Sequence, residues 1–371
     1  MDRILGLDIV RTIAILQVVI VHSLYVLPAD VKDSILSLIP AIDGVSIFFV
    51  LSGFLIGGIL LRTIENEGLT SNGLVQFWIR RWFRTLPNYF LVLFVLLLYD
   101  VVIYRVESHF SPHYLVFAQN LIHDHPDFFP EAWSLSVEEW FYFLFPIVCY
   151  AGFKLVSTKR YVLLFGAFFF LLVPFLMRLA IQMNEEGIEV LDLRKIVIYR
   201  LDSLMYGVLG AYLFKYNLTL WRKIKYPGLW LSFFLIMALT VYNNLFKDDQ
   251  VFWKVYSFNI ESFATLLALP YFSTLKKIGI NAIEKLFRFI SLISYSMYIL
   301  NLSILQWRVV PILMSLFNLN DLDLRCSGVV SHIVFWPLLF LGSYLLYNFY
   351  ELPMMNLRDN FRIVPSYLKG S

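Results

Sequence analysis

Ten times along this chain an apolar run approaches the length of a bilayer crossing. The hydrocarbon core of a membrane is about 30 Å thick, and a helix needs about 20 mostly apolar residues to cross it. The runs fall near 8–27, 44–61, 86–104, 137–153, 161–181, 196–214, 229–246, 255–273, 289–316 and 330–350. One soluble core cannot absorb so many, and only 15% of the 371 residues are charged, against about 25% in a soluble domain. The sequence predicts an all-α fold: a polytopic transmembrane helical bundle of about ten spans. The first run follows a short basic flank, as a secretory signal does. It contains Arg11 and His22, and no convincing small-residue cleavage site follows, so an uncleaved first span is expected.

The connecting segments alternate in charge. One set holds Arg62, Arg80, Arg81 and Arg84, then Lys154 to Arg160, Lys215 to Lys225, Lys276 to Arg288, and the basic residues after Tyr350. The other holds Asp30 to Asp43, Glu107 to Glu131, Glu185 to Glu189, Asp248 with Asp249, and Asp321 with Asp323. Basic loops stay in the cytoplasm, so both termini are expected there and the span count is even. Residues 1–350 read as a single transmembrane domain and 351–371 as a short cytoplasmic tail. The lipid bilayer is then an obligatory partner. A net charge of +3 without a basic arm gives no reason to expect nucleic acid. Cys149 and Cys326 suggest no structural disulfide, and no Cys/His spacing suits a metal, so none is expected.

Ionisable groups inside spans are costly and mark either a function or a buried pair. Arg11 and His22 share one face of the first span, about 16 Å apart along the helix axis. Arg11 could equally snorkel to headgroups, and His22 could cap the span's end. In the segment before the third span, Arg80 and Arg84 are i,i+4 and Arg81 and Arg84 are i,i+3, so they gather on one side of a helix. Guanidinium groups bind phosphate bidentately; an ordinary positive-inside cluster would look the same. Glu138 and Glu139 follow Trp133, Ser134 and Ser136 at the outer edge of the fourth span. A carboxylate there could serve a histidine or merely favour a helix N-terminus. Arg200 and Asp202 could pair with each other or with neighbours. Ser294, Tyr298 and Asn301 form a polar stripe of a kind that often only holds helices together. Gly53, Gly57 and Gly58 suit close helix approach. His109, His113, His123 and His125 lie in the large outer loop, where solvated histidines are commoner than zinc sites.

Taken in order, these segments resemble the acyltransferase-3 family. The resemblance rests on LDIVRTIAILQVVIVHS with Arg11 and His22, GVSIFFVLSGFLIGG at 44–58, RRWFRTLP at 80–87 and WSLSVEEWFYFLFP at 133–146. RLDSLMYG at 200–207, ISYSMYILN at 293–301 and YELP at 350–353 complete it. It implies about ten helices, cytoplasmic termini, and acyl transfer, commonly of acetyl, from acyl-CoA to a hydroxyl. Acetyl-CoA would be the co-substrate. The acceptor would be an extracytoplasmic sugar or glycan, such as O-antigen, capsule, exopolysaccharide or peptidoglycan, lipid-linked forms included, and the setting a bacterial inner membrane. Arg11 and His22 match the family's essential pair, Arg81 and Arg84 its basic pair, and Glu138 its outer carboxylate. Ser46 stands where the family usually has Asp, and Asn301 where it usually has His.

The mechanism implied has Arg11, Arg80, Arg81 and Arg84 holding the donor's phosphates at the cytoplasmic mouth. The thioester would reach His22, the general base, whose tautomer Glu138 would hold. Trp133, Ser136, Tyr298 and Asn301 would meet the acceptor. Two rivals use the same residue types: a secondary transporter, which should show inverted repeats or broken helices, and a catalytically silent sensor or scaffold, for which Ser46 and Asn301 would be natural.

Overall fold

The computed structural model describes residues 3–66, 70–104, 110–155, 159–184, 190–319 and 323–358. His109, Glu107, Glu185, Glu186, Glu189, Asp321 and the chain after Arg358 lie outside them. The described residues contain no strand. Their long helices are α1 (Leu5–Leu24), α2 (Gly44–Asn66), α3 (Ser71–Tyr99), α4 (Ala132–Leu155), α5 (Lys159–Asn184), α6 (Leu201–Tyr216), α7 (Lys225–Leu245), α8 (Ser257–Phe272), α9 (Asn281–Leu300) and α10 (Leu324–Leu346). Seven helical stretches are each long and apolar enough to cross a membrane: Leu5–Leu24, Gly44–Glu65, Ser71–Val102, Tyr161–Gln182, Lys225–Leu245, Asn281–Leu316 and Cys326–Leu357. The chain is therefore a multi-pass membrane protein. Helices α4, α6 and α8 are not among the seven. The last two have only 16 residues each, and α4 opens on the polar turns that carry Ser134, Ser136, Glu138 and Glu139.

Burial sorts the helices into an inner and an outer group. Ten of the 16 residues of α6 are buried, from Leu201 to Tyr212. Only Gly228, Ser232 and Leu239 are buried among the 21 residues of α7. Trp230, Leu231, Phe233, Phe234 and Val241 of α7 are exposed, as are Phe165, Phe168 and Phe169 of α5. A lipid-facing helix needs such an apolar outer face, whereas an inner helix is freed from that demand and can carry polar groups.

The centre of the bundle is the crossing of α2 and α6. A Cβ on Gly53 would land on the Leu204 carbonyl, and one on Gly207 would land on the Val50 carbonyl. Small residues let membrane helices meet backbone to backbone, where dispersion and close packing replace the missing hydrophobic drive. Gly58 has nothing within 4 Å of its would-be Cβ, so the glycines of this run do different things.

Among the described residues four segments run in π-helical form: Asp100–Tyr104, Phe252–Tyr256, Asn301–Val309 and Tyr347–Glu351. The last carries the chain beyond Tyr350. A further helix, Leu352–Leu357, follows, and the Glu351 side chain is buried, accepting from Asn88 Nδ2 (3.0 Å) and Ser296 Oγ (2.7 Å). Position 351 therefore belongs to the bundle and not to a tail.

The outer loop folds as a cap over α3 and α4. Tyr89 donates to the Tyr114 carbonyl at 2.9 Å, Trp140 to the Phe117 carbonyl at 2.9 Å, and Gln119 Nε2 to Ser136 Oγ at 2.6 Å. Asn120 Nδ2 ties it to the carbonyls of Trp133 (3.1 Å) and Lys195 (2.5 Å). Aromatic rings of Tyr89, Phe117 and Phe129 fill the space beneath.

The α2–α6 crossing predicts a contrast between glycines. Gly53→Ala or Gly207→Ala should cost about 1–3 kcal/mol, as overpacking does, and lower the melting midpoint of the detergent-purified protein. Gly58→Ala should leave that midpoint unchanged or raise it. Equal midpoints for all three variants would contradict the close crossing.

Candidate active site

His22 sits in the last turn of α1 and lines a cavity of about 750 Å³, within the range of ligand sites. The start of α2, the outer cap, α8 and the end of α9 supply the other walls through Asp43, Glu131, Trp133, Glu261 and Tyr298. Asn301 Nδ2 donates to the Tyr298 carbonyl at 2.5 Å, which turns its Oδ1 towards the imidazole. His22 Nδ1 lies 2.6 Å from that oxygen. The carbonyl oxygen can only accept, so Nδ1 carries the proton and Nε2 keeps the lone pair. Gln306 Nε2 donates to the His22 carbonyl at 2.8 Å and fixes the backbone as well.

Glu138 does not hold the imidazole. It accepts from Ser52 Oγ at 2.7 Å and lies among the guanidinium groups. Its position in α4 turns it towards α2 and α3 and away from the end of α1. Arg81 stacks on the Tyr142 ring, 4.3 Å from its centroid, and is attracted by Tyr142, Glu138 and Glu139. Arg84 is repelled by Arg81 and attracted by Glu351 and Glu138. Arg11 is repelled by Arg84 and Arg81 and attracted by Asp8, and its contact to Ser291 Oγ is long, 3.5 Å. Arg11, Arg81 and Arg84 thus form one positive group. Neither Arg11 nor Arg84 has an ion-pair partner within 4 Å among the described residues. Arg84 is also solvent-accessible, so it is free to meet an anion. Arg80 is exposed; one residue from Arg81, it points about 100° away around the helix.

The four residues expected at an acceptor site separate. Trp133 and Tyr298 line the cavity. Asn301 is buried behind His22 as its orienting partner. Ser136 is buried and fully used, accepting from Gln119 and donating to the Ala132 carbonyl at 3.2 Å, so it serves the cap. His113 bonds Ser111 Oγ at 2.8 Å, His123 is exposed, and His125 donates to the Phe129 carbonyl at 2.9 Å. Burial holds the His125 ring down to about 4. Among the described residues no group of His, Cys, Asp and Glu is placed to hold a metal. Cys149 and Cys326 are free.

Several site residues had no assigned role in the sequence. Arg194 pairs with Asp43 at 2.5 Å, and both line the cavity. Ser46 donates to Asp43 Oδ2 at 3.4 Å and accepts from Arg200 Nη2 at 3.0 Å. Arg200 is fully buried, with Phe258 4.1 Å and Phe49 5.6 Å from its guanidinium carbon. Arg200 and Asp202 form no direct ion pair, although Asp202 is the strongest attraction on the Arg200 guanidinium. Asp202 instead takes Arg178 at 2.7 Å, both completely buried. Arg178 also donates to Asn259 Oδ1 (3.1 Å) and to the Tyr199 carbonyl. Glu131, two residues before Trp133, is buried and accepts from Ser303 N at 3.1 Å and from Ser303 Oγ. Burial pushes its carboxyl up to about 7, against the pull of Ser303 and Arg308. An acid inside the aromatic run Phe128-Phe129-Pro130-Glu131-Ala132-Trp133 was the available signal.

A family model described as an acyltransferase domain matches residues 4–348. The chain belongs to the acyltransferase-3 family. It is 34% identical over 136 residues to a peptidoglycan O-acetyltransferase of Listeria monocytogenes, covering 32% of this chain and 21% of that protein. A putative O-acetyltransferase of Staphylococcus aureus is 33% identical over 175 residues, 43% of this chain and 27% of that protein. A putative peptidoglycan O-acetyltransferase of Bacillus subtilis is 29% identical over 169 residues, 42% and 25%. The chain thus spans about a quarter of the length of these relatives. No solved structure matches it.

Breaking the buried Arg178–Asp202 pair leaves an uncompensated charge out of reach of bulk solvent. Asp202→Asn should destabilise the protein by about 3 kcal/mol, whereas replacing both partners (Arg178→Met with Asp202→Leu) should recover most of the loss. Thermal melts in detergent compare them; a single variant as stable as the parent would show that the pair carries no weight.

Proposed function

We propose that this chain transfers an acyl group, acetyl in the simplest case, from cytosolic acyl-CoA to a hydroxyl of a cell-wall sugar outside the bacterial inner membrane. The observation that carries this reading is the His22–Asn301 hydrogen bond, which leaves a lone pair on Nε2 of a residue lining the large cavity. The names of the bacterial relatives support acetyl as the group and peptidoglycan as the acceptor; a lipid-linked glycan shares the same chemistry. All ten long helices cross the bilayer on this reading. The alternation of basic and acidic loops supports cytoplasmic termini.

Donor and acceptor then approach from opposite sides. Arg11, Arg81 and Arg84 receive the phosphates of the nucleotide, with Arg84 accessible and unpaired. Eleven residues of α1 separate Arg11 from His22, about 16 Å of helix, a length comparable with an extended pantetheine arm. His22 Nε2 takes the proton of the acceptor hydroxyl. The oxygen attacks the thioester carbonyl carbon, the C–S bond breaks, and the thiolate leaves with the proton returned by the imidazolium. Asn301 cannot itself carry a proton at neutral pH, so its part is to keep the imidazole in the productive tautomer. The same geometry allows His22 to take the acyl group first and pass it on.

Membranes carrying the protein should move label from acetyl-CoA into the glycan fraction. His22→Ala should reduce that transfer by about 100-fold or more, the scale of a lost general base. Arg84→Ala should raise KM for the donor about tenfold, the equivalent of about 1.4 kcal/mol, with a smaller effect on kcat. A His22→Ala protein that transfers as well as the parent would overturn the mechanism. Uptake driven by an ion gradient without turnover of acyl-CoA would favour a transporter instead.

A further inference from the structure

The segment that presents Asn301 to His22 is π-helical from Asn301 to Val309. Backbone hydrogen bonds in this form run i→i+5, which is rare and occurs mostly at functional sites. The change of register at the junction with α9 frees backbone donors, and a buried N–H must find another partner. At Ser303 the partner is a side chain: the N–H donates to Glu131 Oε1 at 3.1 Å, and the Ser303 hydroxyl donates to Oε2 of the same carboxylate. Both oxygens of one side chain are thus spent on one residue of the π segment.

The rest of the segment is held from its other faces. Gln306 reaches the His22 carbonyl at 2.8 Å. Arg308 donates to the Ser303 carbonyl at 2.7 Å and pairs with Asp100 at 3.3 Å. Asn301, two residues before Ser303, takes His22. The Glu131 carbonyl accepts from Tyr298 OH at 3.1 Å, and Ser134 and Tyr298 share a hydrogen bond of 2.6 Å, so the cap and the end of α9 are joined at the same point. Glu131 is fully enclosed, and its charge is compensated by donors of the segment and by Arg308.

We propose that Glu131 is a positioning residue: by capping Ser303 it holds the π-helical register that aims Asn301 at His22. This rests on the reading of His22 as the base. Without the carboxylate, Ser303 N–H can return to an α-helical carbonyl. That return rotates the segment, separates Asn301 from Nδ1 and frees the imidazole to adopt either tautomer. Glutamine at 131 keeps one acceptor for the N–H and offers a donor to the Ser303 hydroxyl, so it can replace the acid.

The test uses the full chain in membranes with labelled acetyl-CoA, and the same variants purified in detergent. Glu131→Ala should lower kcat by about 10-fold or more, the range reached when a catalytic group is misplaced, with KM for acetyl-CoA changed by less than about 3-fold. Glu131→Gln should restore kcat to within about 3-fold of the parent. In an Asn301→Ala background Glu131→Ala should have little further effect on kcat, and the melting shifts of the two substitutions should be non-additive. If Glu131→Ala is not recovered folded, Ser303→Ala, which removes only the hydroxyl, takes its place and should show the same dependence on Asn301. Additive effects on kcat and on melting would overturn the proposal. Should the parent itself transfer nothing from acetyl-CoA, the reading of the function fails; non-additive melting would then still establish the Glu131–Asn301 linkage, and additive melting would remove it.

Discussion

The backbone contact between α2 and α6 at Gly53 and Gly207 is the constraint on which the remaining structure depends. In lipid, neither helix gains from burying leucine against leucine, so close approach and internal polar satisfaction must supply the specificity. With the two backbones in contact, Ser46 of α2 reaches Arg200, and Ser52 of α2 is left facing Glu138 of α4. The same crossing leaves α6 sheathed by other helices, so it can carry a completely buried Asp202 paired with Arg178. Helix α5 supplies Arg178 to that pair from its inner face, and both α5 and α7 remain apolar outside.

Two charged groups at different depths follow from this arrangement. Arg11, Arg81 and Arg84 repel one another, and Asp8, Glu138, Glu139 and Glu351 are the carboxylates that attract them. A cluster of like charges in a membrane protein is expensive unless counter-charges lie beside it. About three helical turns away the balance is different: Asp43, Arg194 and Glu261 meet beside the cavity, with opposite charges paired. His22 stands there beside a neutral amide, so the imidazole is oriented without being forced to ionise. The carboxylate missing at Ser46 is present one turn earlier at Asp43, which reaches both Ser46 and Arg194.

Much of the site was legible in the linear sequence because intramembrane polar residues are rare enough to be conspicuous. Arg11, His22, Arg81, Arg84 and Asn301 were all visible for that reason. Glu138 was visible too, yet its partner was not: a helix places residues on its faces by a known angle, but which helix lies opposite each face depends on packing. Glu131 and Asp43 sit in outer segments where acids are ordinary, so nothing local distinguished them from solvated charges. Ser136 looked like an available hydroxyl and proved to be buried and bonded. Arg200 and Asp202, two residues apart, cannot face each other on a helix, and each found its partner on another element.

Taken alone, the sequence determined that this chain must be a bundle of membrane helices with its polar residues at set depths. Apolar length and axial rise are one-dimensional properties, and both can be read by counting. It also determined that any chemistry in residues 1–350 must lie among those helices. Only the tertiary structure decided that Asn301, and not Glu138, holds His22, that Glu351 joins the bundle, and that the start of the 301–309 segment is capped from the outer loop by Glu131. These are contacts between residues up to 279 positions apart. They are set by which helix faces meet and by the need of each buried donor to find an acceptor where no water can serve.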